Sequence, residues 1–327
     1  MKNGTETLET YTTLMTMNGA AHAYAAALST GIINTIVEEP RTAHDIVRIC
    51  GTVEHATVLL LDALCAMNVL VKDGERYGPA PILGMLNGQQ RMLGNDHWAH
   101  LPAFLHTGKL ARHAGDAGMA AQEQELSSAA LEWLMAPVAQ EVAALIGIGA
   151  RMRECAILDI GSGAAVWSIT CAKLDTAAHV TAVDWPAMLV AATEAARAAG
   201  VSDRFTAMPG NYETIEFGVS TYDLAIAANI IHRETPETCR SLFSRVLAAL
   251  KPGGTLAIID VFSGQEAGEL TRAISALELA LHAGHGGYKR SEDVIHCLGE
   301  CGFVEAAYKP VRLPPYTMGA VLAARPA

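Results

Sequence analysis

The spacing of apolar residues changes once along the chain, near residue 153. Before that point apolar residues recur at helical spacing, first at Leu14, Met17, Ala21, Tyr24 and Leu28 and then at Val58, Leu61, Leu64 and Met67. After it, short apolar runs alternate with amphipathic stretches. The pattern predicts a helical N-terminal domain followed by an α/β domain.

Two local signals refine the prediction for the N-terminal part. Thr42 followed by AHDIVRIC is typical of a helix with a threonine N-cap. The segment NVLVKDGERYG holds two short extended runs around Asp73-Gly74, which predicts a hairpin. Helices followed by a small hairpin indicate a winged-helix domain, and a plain helical bundle with a surface loop is the alternative.

The C-terminal part predicts a doubly wound sheet. Five apolar runs have the character of buried parallel strands, with helices between them: CAILDIG, HVTAVDW, RFTAMPG, YDLAIAAN and GTLAIID. Two further strands, FVEAAYKPVRL and YTMGAVLAA, are joined through Pro314-Pro315 without room for a crossover helix, so we expect them to pair antiparallel. Small and polar residues at 106–127 indicate a flexible linker or a mobile lid. The predicted division is 1–105 for the N-terminal domain, 106–150 for the linker and a connecting helix, and 151–327 for the sheet domain.

Composition excludes several classes of protein. The net charge of −11 and the pI near 5.5 oppose binding to nucleic acid, which needs a basic surface. No apolar run reaches the ~18 residues of a spanning helix, and the polar start MKNGTETLETY does not resemble a signal peptide, so we expect no membrane contact and a cytoplasmic location. The seven scattered cysteines indicate reduced thiols.

A nucleoside site is predicted where the first strand of the sheet ends. In ILDIGSGAAVWSI the strand ends at Asp159, and two glycines follow before a helix near Ala165, where backbone and helix N-terminus can approach a ligand. Asp184 closes the next strand, where a carboxylate can accept both ribose hydroxyls of an adenosine. Val166 replaces the third glycine of a nicotinamide-binding turn, which disfavours an oxidoreductase. The alternative is that both acids only cap loops.

The motifs D-I-G-S-G, V-D-W-P, G-N-Y, N-I-I-H and L-K-P-G-G, in this order, resemble the small-molecule O-methyltransferase family. The likeness covers nearly the whole chain and includes an A-x-x-x-G-I stretch that begins at Ala27. It implies a Rossmann-like, seven-stranded class I methyltransferase domain preceded by a mostly helical winged-helix dimerisation domain. It also implies S-adenosylmethionine (SAM) as the cofactor, a small-molecule acceptor and a homodimer.

The resemblance further implies which residues surround the cofactor. Asp159, Gly161 and Gly163 would line its methionine part, Asp184 would hold the ribose, and Trp185 with Met188 would pack near the adenine. The full implied set is Asp159, Gly161, Ser162, Gly163, Asp184, Trp185, Met188, Gly210, Asn211, Tyr212 and Asn229. Gly210-Asn211-Tyr212 stands where the family has Gly-Asp-Phe, and Ala165 stands where it has the third glycine of the turn.

On the acceptor side the resemblance makes His232 the general base and Asp260 the acid that orients it. An imidazole titrates near neutral pH and is suited to removing a hydroxyl proton. Both residues end predicted parallel strands, where ligands bind in such sheets. The alternative is that they are structural strand-end residues.

Two departures from the family pattern concern the acceptor. His232-Arg233-Glu234 stands where the family has His-Asp-Trp, and Lys289 stands near the position of a second acid. The added cations favour an anionic acceptor, and the candidate substrate residues are Met135, Arg233, His282 and Lys289. The expected reaction is O-methylation of a small molecule.

Other functions remain open alongside that one. Methylation of a thioether or a 2-oxo acid, at sulfur or carbon, needs no strong base, and a non-catalytic winged-helix protein that senses a nucleoside is a further alternative. His232, His282 and His285 could hold a metal ion, although LHAGHGG is also simply a polar, glycine-rich loop, and no metal is expected.

Overall fold

The computed structural model describes residues 4–84, 86, 91–93, 98–108, 135–263, 269–283, 287–311 and 318–327. The chain divides into two compact units, residues 1–96 and residues 97–327. Most of the predicted linker lies outside the described residues, and the predicted division at residues 105 and 150 stays a prediction.

The first unit consists of four helices and a small antiparallel sheet. Its elements are α1 (Gly4–Ser29), α2 (Ile32–Glu38), β1 (Arg41–Thr42), α3 (Ala43–Cys50), α4 (Glu54–Ala66), β2 (Leu70–Asp73) and β3 (Arg76–Pro79). The strands lie in the order β1-β3-β2. Asp73 pairs with Arg76 across the turn, which confirms the predicted hairpin. The Oγ1 of Thr42 accepts a hydrogen bond from the backbone N–H of Asp45, as predicted for the cap of α3.

The core of the first unit leaves half of α1 uncovered. Its buried apolar residues come from all four helices and the hairpin, and they include Tyr24, Ile36, Ile46, Leu61, Leu64 and Tyr77. The first four turns of α1 carry large apolar side chains that are each more than half exposed, namely Leu8, Tyr11, Leu14, Met15 and Met17. Among the described helices none is by itself long and apolar enough to span a membrane. The pairs α1–α2 and α3–α4 reach that threshold only jointly, with bends of 67° and 116°.

The second unit is built on a seven-stranded sheet. Its strands are β4 (Ala156–Ile160), β5 (His179–Asp184), β6 (Phe205–Pro209), β7 (Tyr222–Ala228), β8 (Leu250–Val261), β9 (Val304–Pro310) and β10 (Met318–Ala324). Its described helices are α5 (Leu101–Thr107), α6 (Met135–Ile146), α7 (Val166–Leu174), α8 (Pro186–Ala198), α9 (Pro236–Ala249), α10 (Glu269–Ala283) and α11 (Ser291–Glu300).

The strand order is β6-β5-β4-β7-β8-β10-β9. Strands β4 to β8 pair in parallel, and β10 pairs antiparallel with both β8 and β9. Both features were predicted from the sequence and are confirmed. The chain order reverses between β4 and β7, and such a switch point opens a crevice at the carboxyl ends of the strands.

Burial on both faces explains why the central strands are continuous apolar runs. Along β4, Ile157 belongs to the apolar core on one face of the sheet, and Leu158 and Ile160 belong to the core on the other. Helices α6, α7 and α8 cover the first face, and α9 and α11 cover the second. Because both faces are covered, polar residues concentrate at the strand ends.

Candidate active site

The glycine turn after β4 is tight and lies close to the end of β7. Gly161 has a φ of +60°, and a Cβ at this position would lie 3.0 Å from the Cδ1 of Ile230 and 3.6 Å from the Cδ1 of Tyr212. The turn ends at Ala165, which has a φ of +57° and precedes α7. A glycine is therefore needed at Gly161, and the turn exposes the backbone in the way that a bound ligand requires.

Ser162 carries the clearest sign of a missing polar partner. Its side chain is buried, and its Oγ has no hydrogen-bond partner among the described residues. A buried hydroxyl left unpaired costs about 1–3 kcal/mol. A polar ligand atom at the glycine turn would satisfy it, so this residue fits the predicted cofactor.

Asp184 links the turn to the next strand. Its Oδ2 accepts a hydrogen bond of 2.8 Å from the N–H of Gly163, and its Oδ1 accepts one of 2.7 Å from the N–H of Trp185. Burial raises the pKa of this carboxyl, while the two N–H groups and the charge of Arg233 oppose that rise. Each carboxylate oxygen keeps a second lone pair, so both could still accept ribose hydroxyls.

Asp159 lies deeper than its predicted role requires. Its side chain is buried beneath α7, where its Oδ2 accepts a hydrogen bond of 2.5 Å from the hydroxyl of Ser168. Burial raises the pKa of Asp159 to about 7. This position favours a structural role in joining β4 to α7, and the contact with the methionine part stays a prediction.

The residues predicted near the adenine surround the ends of β5 and β6. Trp185 is 47% exposed, and Met188 is half-buried in the first turn of α8. The N–H of Gly210 donates to the carbonyl of Asp184, and a Cβ on Gly210 would lie 2.6 Å from the Cδ1 of Ile215. A larger residue at this position would need the side chain of Ile215 to shift.

Two amide side chains occupy turns at the same edge of the sheet. The Oδ1 of Asn211 accepts a hydrogen bond from the N–H of Glu213, which closes the turn after β6. Asn229 follows β7 with a φ of +57°, a conformation that asparagine tolerates better than most residues. Their contacts with the cofactor stay predictions.

Tyr212 points into the crevice between β4 and β7. Its ring lies beside Gly161, and its hydroxyl donates a hydrogen bond of 2.5 Å to the Oε1 of Glu234. Burial, followed by this contact with Glu234, raises the pKa of Tyr212. Arg245 holds the same loop by donating to the carbonyls of Tyr212, Glu213 and Ile215.

His232 and Asp260 form a hydrogen-bonded pair, as the sequence predicted. The Nδ1 of His232 lies 2.6 Å from the Oδ1 of Asp260, and the N–H of His232 donates to its Oδ2 at 3.3 Å. Asp260 is only 1% exposed, and the N–H of Val261 also donates to it. When Nδ1 donates its proton to the carboxylate, Nε2 is left as the acceptor.

The segment 287–290 is fastened to the turn that contains His232. The N–H of Gly287 donates to the carbonyl of His232 at 2.8 Å, and the Nζ of Lys289 donates to the carbonyl of Glu234 at 2.7 Å. The N–H of Ser263, just after β8, donates to the carbonyl of Lys289. The ammonium of Lys289 therefore has a protein partner.

Three residues of this site were not among the sequence candidates. The ring of Tyr288 meets the imidazole of His232 edge-on, with centroids 6.2 Å apart. Glu234 accepts the hydroxyl of Tyr212, and Arg245 holds the loop that carries Tyr212. The sequence pointed to Tyr288 only through its position next to the candidate Lys289. Nothing in the sequence around Arg245 indicated that it belongs to the site.

The remaining acceptor candidates are less tightly grouped. Arg233 is exposed, although its charge acts on Asp184 and Tyr212, and Met135 is half-buried at the described start of α6. His282 belongs to α10, but its side chain lies outside the described part of the chain, as does the whole of His285. The described residues hold no group of three metal-binding side chains, which leaves the three-histidine alternative untested.

Comparisons with known proteins agree with this geometry. Residues 157–254 match the family described as "Methyltransferase domain". The L-tyrosine C(3)-methyltransferase of Streptomyces lavendulae is 28% identical over 170 residues, which cover 51% of this chain and 46%, less than half, of that enzyme. The acetylserotonin O-methyltransferase of Rattus norvegicus is 25% identical over 300 residues, which cover 85% of this chain and 68% of that enzyme.

A solved structure extends the likeness to both units. The crystal structure of human N-acetylserotonin methyltransferase in complex with SAM aligns with a TM-score of 0.75 and 18% identity, over 100% of this chain and 99% of that chain. At this identity the alignment shows the fold. Residues 157–254 therefore match a methyltransferase domain, and the chain shares the fold of this solved methyltransferase structure.

Proposed function

We propose that the protein transfers the methyl group of SAM to a hydroxyl oxygen of a small molecule, with His232 as the general base. The observation that carries this proposal is the pair formed by His232 and Asp260 at the carboxyl end of the parallel sheet. The buried carboxylate of Asp260 fixes one nitrogen of an imidazole that is 17% exposed, an arrangement suited to proton removal.

The residues of the site divide the work of such a reaction. SAM, when bound, supplies an electrophilic methyl group. The glycine turn, Ser162 and Asp184 hold the donor at the switch point of the sheet. The Nε2 of His232 takes the proton of the attacking hydroxyl, and Asp260 stabilises the imidazolium that forms. Proximity and orientation supply much of the remaining acceleration.

The relatives support a methyltransferase and leave the acceptor atom to experiment. The alignment with an enzyme named as an O-methyltransferase spans 85% of this chain, which supports oxygen as the atom that accepts the methyl group. The alignment with an enzyme named as a C-methyltransferase spans half of it, which keeps carbon as the second candidate. A carbon or sulfur acceptor would need His232 less, because no hydroxyl proton leaves.

The proposal includes a homodimer in the cytoplasm. The exposed apolar side chains of Leu8, Tyr11, Leu14, Met15 and Met17 lie on one helix, and a second copy would remove them from water. All seven cysteines are free thiols, the usual state in a reducing compartment. The net charge of −11 disfavours nucleic acid as a partner.

A screen by acceptor class tests the proposed reaction. Release of S-adenosylhomocysteine (SAH) would be measured with phenols, hydroxy acids, thioethers, amines and 2-oxo acids, each with the native protein and with His232→Ala. We expect turnover with a hydroxyl compound that depends on His232. If turnover is confined to thioethers or 2-oxo acids and the variant loses little of it, the methylated atom is sulfur or carbon and not oxygen.

A further inference from the structure

Two polar residues from separate segments of the chain contact Glu234. Glu234 follows β7, whereas Tyr212 follows β6 and Lys289 precedes α11. The hydroxyl of Tyr212 donates to the Oε1 of Glu234 at 2.5 Å, and the Nζ of Lys289 donates to the backbone carbonyl of Glu234 at 2.7 Å. Glu234 therefore links Tyr212 to Lys289 in a chain of three residues, through its side chain on one side and its backbone on the other.

One end of this chain lies on the cofactor side of the crevice. The ring of Tyr212 packs beside Gly161 of the glycine turn and near Ile230 at the end of β7. Arg245 holds the backbone of the Tyr212 loop, and its guanidinium lies 4.6 Å from the centre of the Phe217 ring. With the loop held in this way, the hydroxyl of Tyr212 has a fixed direction toward Glu234.

The other end lies on the acceptor side. Lys289 follows Tyr288, whose ring meets His232 edge-on, and Gly287 is bonded to the carbonyl of His232. The carbonyl of Lys289 is itself held by the N–H of Ser263. The Nζ bond to Glu234 thus helps to set where Tyr288 stands against the general base.

We propose that Glu234 and Lys289 are positioning residues that couple occupancy of the cofactor site to the placement of Tyr288 and His232. Tyr212, Glu234 and Lys289 are all half-buried, and both bonds involve an ionisable group, so each is stronger than a bond between neutral groups in water. Binding that displaces Tyr212 then also displaces the acceptor side. By reciprocity, a change on the acceptor side alters cofactor affinity.

This inference takes only one point from the proposed function, namely that the ligand of the cofactor site is SAM or SAH. The test therefore measures SAH binding and needs no acceptor. The affinity of the full-length protein for SAH would be measured by calorimetry for the native protein, Tyr212→Phe, Lys289→Met and the double variant. Tyr212 and Lys289 bond to different atoms of Glu234, which makes their coupling informative. Lys309→Met, which removes an exposed lysine on β9, is the matched control.

We expect Lys289→Met to weaken SAH binding about fivefold or more and Lys309→Met to leave it unchanged. The double variant should lose less than the product of the two single losses, because either substitution already breaks the chain. Lys289→Arg keeps a donor and should restore affinity, which separates positioning from general damage. Should Lys289→Met fold poorly, Glu234→Ala, which removes the acceptor of Tyr212, should weaken SAH binding, whereas Glu234→Gln, which keeps an acceptor, should not.

Multiplicative losses in the double variant, or native SAH affinity in Lys289→Met, would overturn the coupling and leave the proposed methyl transfer standing. Absence of SAH binding to the native protein would overturn both. An activity readout completes the test once an acceptor is known. Lys289→Met should then raise the KM of the acceptor and alter the pH dependence of kcat, whereas Lys309→Met should do neither.

Discussion

The backbone N–H of Gly163 donates a hydrogen bond of 2.8 Å to the Oδ2 of Asp184, and so joins the glycine turn after β4 to the end of β5. The bond fixes the carboxylate beside the glycine turn. Such preorganisation lowers the cost of binding, because the acceptor for the ribose hydroxyls is already in place.

Asp184→Ala should therefore weaken binding of SAM and SAH by about 1–3 kcal/mol, because the ribose hydroxyls lose their acceptor and the N–H of Gly163 loses its partner. Calorimetry measures this loss directly. Asp203→Ala, which removes an exposed aspartate, is the control and should bind normally. Unchanged affinity in a folded Asp184→Ala protein would remove Asp184 from the site.

Asp159 gives a prediction about stability and pH. Since burial raises its pKa from 3.8 to about 7, the folded protein binds a proton in this range that the unfolded chain does not. Its contribution to the free energy of unfolding therefore falls as pH rises from about 4 to about 7. Asp159→Asn should remove that dependence and stabilise the protein by ~2–4 kcal/mol near pH 8.

Denaturant unfolding of Asp159→Asn and the native protein, at about pH 5.5 and about pH 8, measures this effect. The advantage of the variant should shrink at the lower pH. Asp203→Asn should show no pH-dependent difference. If Asp159→Asn instead leaves the pH profile unchanged and sharply weakens SAM binding, the predicted contact of Asp159 with the cofactor is correct and the structural role is wrong.

The sheet and the ends of its strands were predictable because their signals are local. Each parallel strand is buried on both faces and therefore consists of a run of apolar residues. The polar residues that follow these runs must lie at the same edge of the sheet. His232 and Asp260 are 28 residues apart in the chain. The strand pattern placed both at carboxyl ends of parallel strands, and the resemblance to the O-methyltransferase family implied their pairing.

The contacts around Glu234 were not predictable for the opposite reason. Tyr212 lies 22 residues before it and Lys289 lies 55 residues after it, and neither separation follows from a repeat or a turn signal. The sequence indicated that Lys289 adds a cation to the acceptor pocket, whereas the structure pairs its ammonium with a backbone carbonyl. The burial of Asp159 beneath α7 was likewise not indicated by its motif, and its predicted contact with the cofactor stays a prediction.

The exposed half of α1 predicts how the chain associates. Leu14 and Met17 are more than half exposed on a helix whose later turns enter the core. Sedimentation velocity across a range of concentrations should show a dimer, and Leu14→Asp should shift it toward monomer because a charge would be buried at the interface. Val219→Asp, at a highly exposed site of the other unit, should stay dimeric. A native protein that is monomeric at every concentration would contradict the proposed homodimer.

The pair of His232 and Asp260 predicts a difference between two substitutions. With a hydroxyl acceptor, His232→Ala should lower kcat by about 10²–10⁴-fold, with little change in SAM affinity, because the proton has no acceptor in the transition state. Asp260→Asn should also lower kcat, because an amide favours the wrong imidazole tautomer and does not stabilise the imidazolium. His296→Ala, on the exposed face of α11, is the matched control.

The roles of base and metal ligand are separated by two further measurements. If His232 binds a metal ion, a chelator should abolish turnover of the native enzyme and added metal should restore it. If His232 is the general base, the chelator has no effect, and His232→Ala should impair turnover of a hydroxyl acceptor far more than turnover of a thioether, which loses no proton. Near-native turnover of His232→Ala on a hydroxyl acceptor, together with insensitivity to chelator, would make His232 a structural residue at the end of its strand and would leave Asp260 without a catalytic partner.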